Sequence, residues 1–273
     1  MPKLLKIGIA GCGAIGSTLA KAIVTDFSKQ AELVGLYDSD AGKSSQLSAK
    51  LNKVNLSISN LDDLISRADL IVEATRLESA FEIARKTISL SKDVMVMSVG
   101  GILSYYKELS FLANKKNARI FIPSGAICGI DGLKAAGYAR IKKVILTTKK
   151  PPKAFLGTAY ISKKKIKLDK IKKDTLLFEG NAVAAIKAFP QNINVAATLS
   201  IAGIGAKKTL VRIMASPKIR RNIHEIEIEA DSGKIFSRTE NVIHPDNPKT
   251  SYLAVLSAIA ILKQILQPVK VGT

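Results

Sequence analysis

Two cysteines and two histidines are all that this chain of 273 residues offers toward a disulfide framework or a metal cluster. Cys12 and Cys128 cannot form a framework, so a reducing compartment is expected, and no metal site is expected either. Long apolar runs are also missing. The longest stretch, Leu253 to Leu262, is about half of what a membrane span requires. Acidic residues are the third shortage, with 22 Asp and Glu against 42 Lys and Arg and a formal net charge of +20. What is present is ordinary for a globular chain: 47% apolar and 23% charged residues, enough to exclude wholesale disorder. The length suits one large domain or two modest ones with a core that needs no covalent staple. A cytoplasmic, non-membrane protein is expected.

The missing acids are not missing evenly. Between Arg140 and Lys173 stand 13 basic residues and one acid, Asp169. Such a run suggests nucleic acid or an anionic surface. Its only aromatics are Phe155 and Tyr160, too few for a base-stacking platform, and it carries no nucleic-acid motif. A solvated basic face is the expectation.

The N-terminus mimics a lipoprotein leader, with Lys3 and Lys6 ahead of Ile7 to Ala10 and then Cys12. Lys6 interrupts that apolar run, and Gly8, Gly11 and Gly13 weaken a membrane-inserting helix. A nucleotide fold explains the same residues better. Leu4 to Ala10 reads as a buried strand and leads into Gly11-Cys12-Gly13-Ala14-Ile15-Gly16, a complete GxGxxG. A helical stripe of Leu19, Ile23 and Phe27 follows. The next strand, Glu32 to Tyr37, ends at Asp38, 22 residues beyond Gly16. Strand, glycine loop, helix, strand and acid at these offsets form the dinucleotide fingerprint. Gly11 permits the turn, Gly13 admits the diphosphate, and Gly16 allows close helix packing. Ala14 and Ile15 open the helix whose N-terminus favours an anion. Asp38 is placed to accept from ribose hydroxyls, which favours NAD, whereas Ser39 and Lys43 leave NADP open. Cys12 is expected only to fill the loop.

Strands at Asp69–Ala74, Val94–Ser98 and Arg119–Ile122 alternate with helices at Glu78–Leu90 and Ser104–Lys116. This alternation implies a Rossmann-type, doubly wound parallel sheet whose ligands bind beyond the strands' carboxyl ends. Thr75, Arg76, Ser98 and Gly125-Ala126 are therefore candidates to line the nicotinamide half. After Ala126 the pattern changes to strands at 140–148, 175–179, 209–214, 223–230 and 234–238, consistent with a C-terminal α/β domain with a mainly antiparallel sheet. The expected division is a dinucleotide-binding domain over 1–126 and a substrate and dimerisation domain over 127–248. A final helix, 249–267, is expected to pack back on the first.

Within 223–230, His224, Ile226, Ile228 and Ala230 share one face, and Glu225, Glu227 and Glu229 share the other. His224 begins the apolar face, where it reads either as a core histidine or as a side chain opening into a cleft. His244 falls in an expected loop and reads as a surface residue.

Several segments together are similar to the L-aspartate dehydrogenase family. They are the glycine loop, Pro123-Ser124-Gly125-Ala126-Ile127, Asn192 to Ser200, Asn222-Ile223-His224-Glu225-Ile226 and Asn247-Pro248-Lys249-Thr250-Ser251. The resemblance implies a homodimeric enzyme using NAD or NADP to oxidise L-aspartate to iminosuccinate. That product hydrolyses to oxaloacetate and ammonia or supplies de novo NAD biosynthesis. It also implies cofactor contacts at Ala126 and Asn194, a catalytic His224, and a substrate-side loop at Asn247, Lys249, Thr250 and Ser251. Lys249 suits a substrate carboxylate, with Thr250 or Ser251 capping the final helix. Gly101 and the lysines 163–165 depart from the family pattern. The alternatives are another two-domain reductase, of the dihydrodipicolinate reductase or homoserine dehydrogenase type, and a non-enzymatic NAD(H)-sensing regulator.

Overall fold

The computed structural model describes residues 3–53, 55–190, 193–245 and 247–272, with the side chains at 193 and 247–249 outside the description. The chain divides into two compact units. The first holds the described residues up to Pro123 together with Val255–Val271, and the second runs from Ser124 to Ala254.

The first unit follows the alternation of apolar runs. Its elements are β1 (Leu5–Ala10), α1 (Ala14–Thr25), β2 (Ala31–Tyr37), α2 (Ala41–Lys50), α3 (Leu61–Arg67), β3 (Leu70–Glu73), α4 (Leu77–Ser89), β4 (Asp93–Val96), the single turn α5 (Val99–Ile102), α6 (Tyr106–Lys116) and β5 (Ile120–Phe121). The strands form one parallel sheet in the order β2-β1-β3-β4-β5. A strand covered on both faces reads as a near-continuous apolar run, and Ile7 to Ala10 and Leu70 to Val72 are buried throughout. Leu19 and Ile23 of α1 are fully buried beside Ile7 and Ile9, and Phe27 closes the same stripe. Each such side chain contributes about 1.5–3 kcal/mol by leaving water. The order reverses between β1 and β3, so the crevice at their carboxyl ends is the topological switch point where α/β sheets bind ligands.

The second unit contains α7 (Ile130–Ala136), β6 (Ile141–Lys150), α8 (Ala159–Lys163), β7 (Thr175–Asn181), α9 (Ala182–Ala188), α10 (Ile193–Ala202), β8 (Leu210–Ala215), β9 (Asn222–Ala230), β10 (Gly233–Asn241), β11 (Ile243–His244) and β12 (Asn247–Ser251). Its main sheet has the order β10-β9-β6-β8-β7. Only β6 and β8 run parallel, so the sheet is mainly antiparallel. In register, Val144 faces Ile228, Leu146 faces Ile226 and Thr148 faces His224. The period of two therefore places Val144, Leu146, Ile226 and Ile228 in one core with Leu133, Ala185 and Leu199 of the covering helices.

The lysine-rich stretch is anchored rather than loose. Phe155, Ile161, Ile166, Leu168 and Ile171 pack into that core, while lysines 163, 164, 165, 167, 170, 172 and 173 are exposed.

The chain ends in α11 (Tyr252–Leu266), of which Val255, Ala258 and Leu262 are fully buried, the last two in the first unit's core. Two expectations need correction here. The final helix does not begin at 249: residues 249–251 belong to β12, antiparallel to β11, because the Ile243–Ser251 and His244–Asn247 pairings take up the backbone. His244 is not a surface residue. It is 3% exposed, with its ring edge-on to Tyr252 at 5.5 Å.

Candidate active site

The glycine loop lies at the carboxyl end of β1. Gly11 has φ +102°, and a Cβ there would meet the Ala74 carbonyl, so a side chain is barred twice over. A Cβ on Gly16 would overlap the carbonyl oxygen of Gly11, which is why α1 can lie so close to the loop. Gly13 differs: nothing lies within 4 Å of where its Cβ would stand. The loop thus leaves open space at one glycine, directly before the unpaired N–H groups of α1, whose first turn includes Ala14 and Ile15. This is a cradle for an anion.

Asp38 fastens the cradle to β2. Its two oxygens accept from the N–H groups of Cys12 (2.8 Å) and Asp40 (2.9 Å). An ionised carboxylate offers about four lone-pair sites, so Asp38 keeps capacity to accept further hydrogen bonds. Lys43 leans toward Asp40 at 3.7 Å, and both are exposed. Burial, and secondarily the charge of Asp38, push the Cys12 thiol up to about 12, leaving it unreactive filler.

Glu73, at the end of β3, is fully buried, a role hidden in a sequence run that reads simply as strand. It accepts from the Thr75 N–H and hydroxyl, both at 2.7 Å, and from the Ser98 N–H at 3.0 Å. Ser98 in turn donates to the Thr75 carbonyl at 2.8 Å. One carboxyl group therefore ties together the loops that follow β3 and β4. Burial raises its pKa against the opposing pull of those hydrogen bonds. Arg76, beside it, is exposed.

In the second unit His224 is 6% exposed, and its Nδ1 lies 3.0 Å from the Thr148 hydroxyl of the neighbouring strand. Burial, and secondarily the positive charge of Lys150, pull its pKa down to about 3. The imidazole is consequently neutral near pH 7. When Nδ1–H donates to Thr148, Nε2 carries the free lone pair of a base.

A polar network runs from β10 beside His224. Thr239 is its register partner, and the Thr239 hydroxyl (3.1 Å) and Asn241 Nδ2 (3.0 Å) both donate to the Ala126 carbonyl. Asn241 Oδ1 accepts from the Ser251 hydroxyl at 2.8 Å. The structure thus joins Ala126 and Ser251 through Asn241, a residue with no signal in the sequence. Thr250 lies beside Ser251 in β12, so neither belongs to the final helix. Asn194 is exposed in the first turn of α10. The side chains of Asn247 and Lys249 lie outside the described residues. No group of three His, Cys, Asp or Glu among the described residues is placed to hold a metal ion.

A parallel sheet with an anion cradle at its switch point, and a second unit carrying a neutral buried histidine, define the class of two-domain nucleotide-dependent oxidoreductases. A family model described as the C-terminal domain of aspartate dehydrogenase matches residues 131–265, and one described as the NAD-binding domain of homoserine dehydrogenase matches 11–123. L-Aspartate dehydrogenase of Methanosarcina mazei is 46% identical over 99% of this chain and 100% of its own length. That of Methanococcoides burtonii is likewise 46% identical, with the same coverage. The crystal structure of aspartate dehydrogenase from Thermotoga maritima shares the fold, with a TM-score of 0.72, 24% identity and coverage of 99% of this chain and 100% of that one. The chain belongs to the L-aspartate dehydrogenase family.

Proposed function

We propose that this chain oxidises L-aspartate to iminosuccinate with a pyridine nucleotide, and that iminosuccinate either hydrolyses to oxaloacetate and ammonia or supplies de novo NAD biosynthesis. The observation that carries the reading is His224, held neutral by burial and oriented through Nδ1 by Thr148, in a chain that matches aspartate dehydrogenases over its full length.

The open space at Gly13 fits a diphosphate, which Gly11, Ala14, Ile15 and Gly16 would hold through backbone N–H groups and close packing. When bound, the nicotinamide ring supplies the hydride acceptor. The protein's part is orientation and proton handling. His224 Nε2 takes the proton that the substrate ammonium must lose before its Cα can part with hydride, and later handles the proton of the hydrolytic water. Lys249 binds a substrate carboxylate, with Asn247, Thr250 and Ser251 completing that loop. Ala126 and Asn194 contact the cofactor. The apolar face beyond His224, led by Ile226 and Ile228, keeps water from the reacting carbon. We read Asp38 as favouring NAD over NADP, since its carboxylate repels a 2′-phosphate. We further read the protein as a cytoplasmic homodimer with a solvated basic face.

Initial rates with L-aspartate, homoserine and dihydrodipicolinate test the reading. Turnover of aspartate alone supports it, and preference for another substrate overturns it.

A further inference from the structure

The last two residues of β6 are lysines on opposite faces of the sheet, and they meet different fates. Lys149 is neutralised by Glu225 at 3.0 Å. Lys150 lies on the other face, two residues along from Thr148 and hence on the side that carries His224. Its backbone is fixed by pairing with Ala215 in β8 and by the Ser216 N–H, which donates to its carbonyl at 2.9 Å. Its ammonium is largely withdrawn from water, and no carboxylate among the described residues pairs with it. Burying an unpaired ammonium is costly, and proteins normally supply a counterion. Here the lysine instead lines a cavity of about 260 Å³ together with Phe155, Gly157, Thr158, Lys187 and Phe189. Among the described residues, the lining contains two cations and no acid.

We propose that Lys150 is the anchor for one carboxylate of a four-carbon dicarboxylate substrate, holding it in this cavity on the sheet face that carries His224. The inference rests on the aspartate-oxidising reading. A carboxylate there supplies the missing counterion and is itself desolvated, so the pair is strong and specific for an anionic end group. Lys187 is exposed, and water and salt weaken its share. The carboxylate also cancels the positive charge that acts on His224, so substrate binding makes the histidine a better base when one is needed.

Succinate is the probe, because it offers both carboxylates and has no amine to oxidise. Calorimetric titration of the full chain should show binding to the wild type, a loss of about thirtyfold in Lys150→Met, and partial retention in Lys150→Arg. NADH fluorescence titration should be unchanged in both variants, which reports an intact fold. With aspartate, Lys150→Met should raise KM far more than it lowers kcat, a split that a merely structural lysine would not give. Equal succinate affinity in wild type and Lys150→Met, or no binding to the wild type, overturns the proposal. Lys150-dependent succinate binding in a protein that does not oxidise aspartate leaves the carboxylate site standing and sinks the activity instead.

Discussion

In the proposed reaction His224 is the base, a role that suits a side chain the fold keeps neutral and holds against Thr148. Removing it in His224→Ala should lower kcat by about 10²–10⁴ with cofactor affinity unchanged, as measured by steady-state rates and NADH fluorescence. Thr148→Val keeps the shape of the strand but strips Nδ1 of its partner. A fall in kcat of roughly ten- to a hundredfold is expected, matching the 1–3 kcal/mol of an unsatisfied buried group. The histidine also sets a pH dependence of stability. Its folded pKa, about 3, lies below the ordinary 6.5, so the unfolded chain binds a proton that the folded chain refuses. Stability from this group is complete above about pH 6.5 and declines as pH falls toward 3. Urea midpoints at pH 7 and pH 4 should therefore differ less in His224→Gln than in the wild type, with the carboxylates cancelling in the comparison. The position of His224 at the head of an alternating strand's apolar face was legible in the sequence, whereas its proposed catalytic role came from the family resemblance alone. Thr148, Lys150 and Asn241 were not legible, because each takes up its surroundings only through strand register. Glu73 was hidden for a related reason: an acid ending an apolar strand declares nothing until the loops fold over it.

At the scale of elements, the glycine loop separates folding from binding. Gly13→Ala meets open space, so stability should change by no more than about 1 kcal/mol while NADH affinity falls at least about tenfold, the methyl occupying the diphosphate's place. Gly16→Ala overlaps the Gly11 carbonyl and should cost about 1–3 kcal/mol of stability, read as a lower melting temperature with or without cofactor. Equal effects of the two substitutions on stability would contradict this division. The parallel sheet was readable because its strands are continuous apolar runs separated by amphipathic helices. Helix α10 carried no such signal: Ala196, Ala197, Thr198, Leu199 and Ser200 are all buried, so no polar face marks its period. Residues 249–251 read as helix because the apolar pattern of α11 has no sharp beginning, whereas the pairing of β12 with Ile243 and His244 is a tertiary fact.

Across the whole molecule, the first unit is completed by the chain's last helix. Leu262→Ala should cost about 2–5 kcal/mol, seen by thermal melting, because Leu262 is fully buried in the core of Ile7 and Ile9. Much of the surplus of positive charge sits in the second unit, between Arg140 and Lys173. Replacing Lys163, Lys164 and Lys165 by Gln should leave kcat and KM unchanged, since their side chains are solvated and only the apolar residues between them reach the core. The account as a whole turns on one reaction. Nicotinamide absorbance should be followed with oxaloacetate, excess ammonium and NADH or NADPH in parallel. Oxidation that requires ammonium, fails with other oxoacids, runs faster with NADH and disappears in His224→Ala is the predicted result. A protein that binds NADH yet shows no ammonium-dependent oxidation with either nucleotide would contradict it.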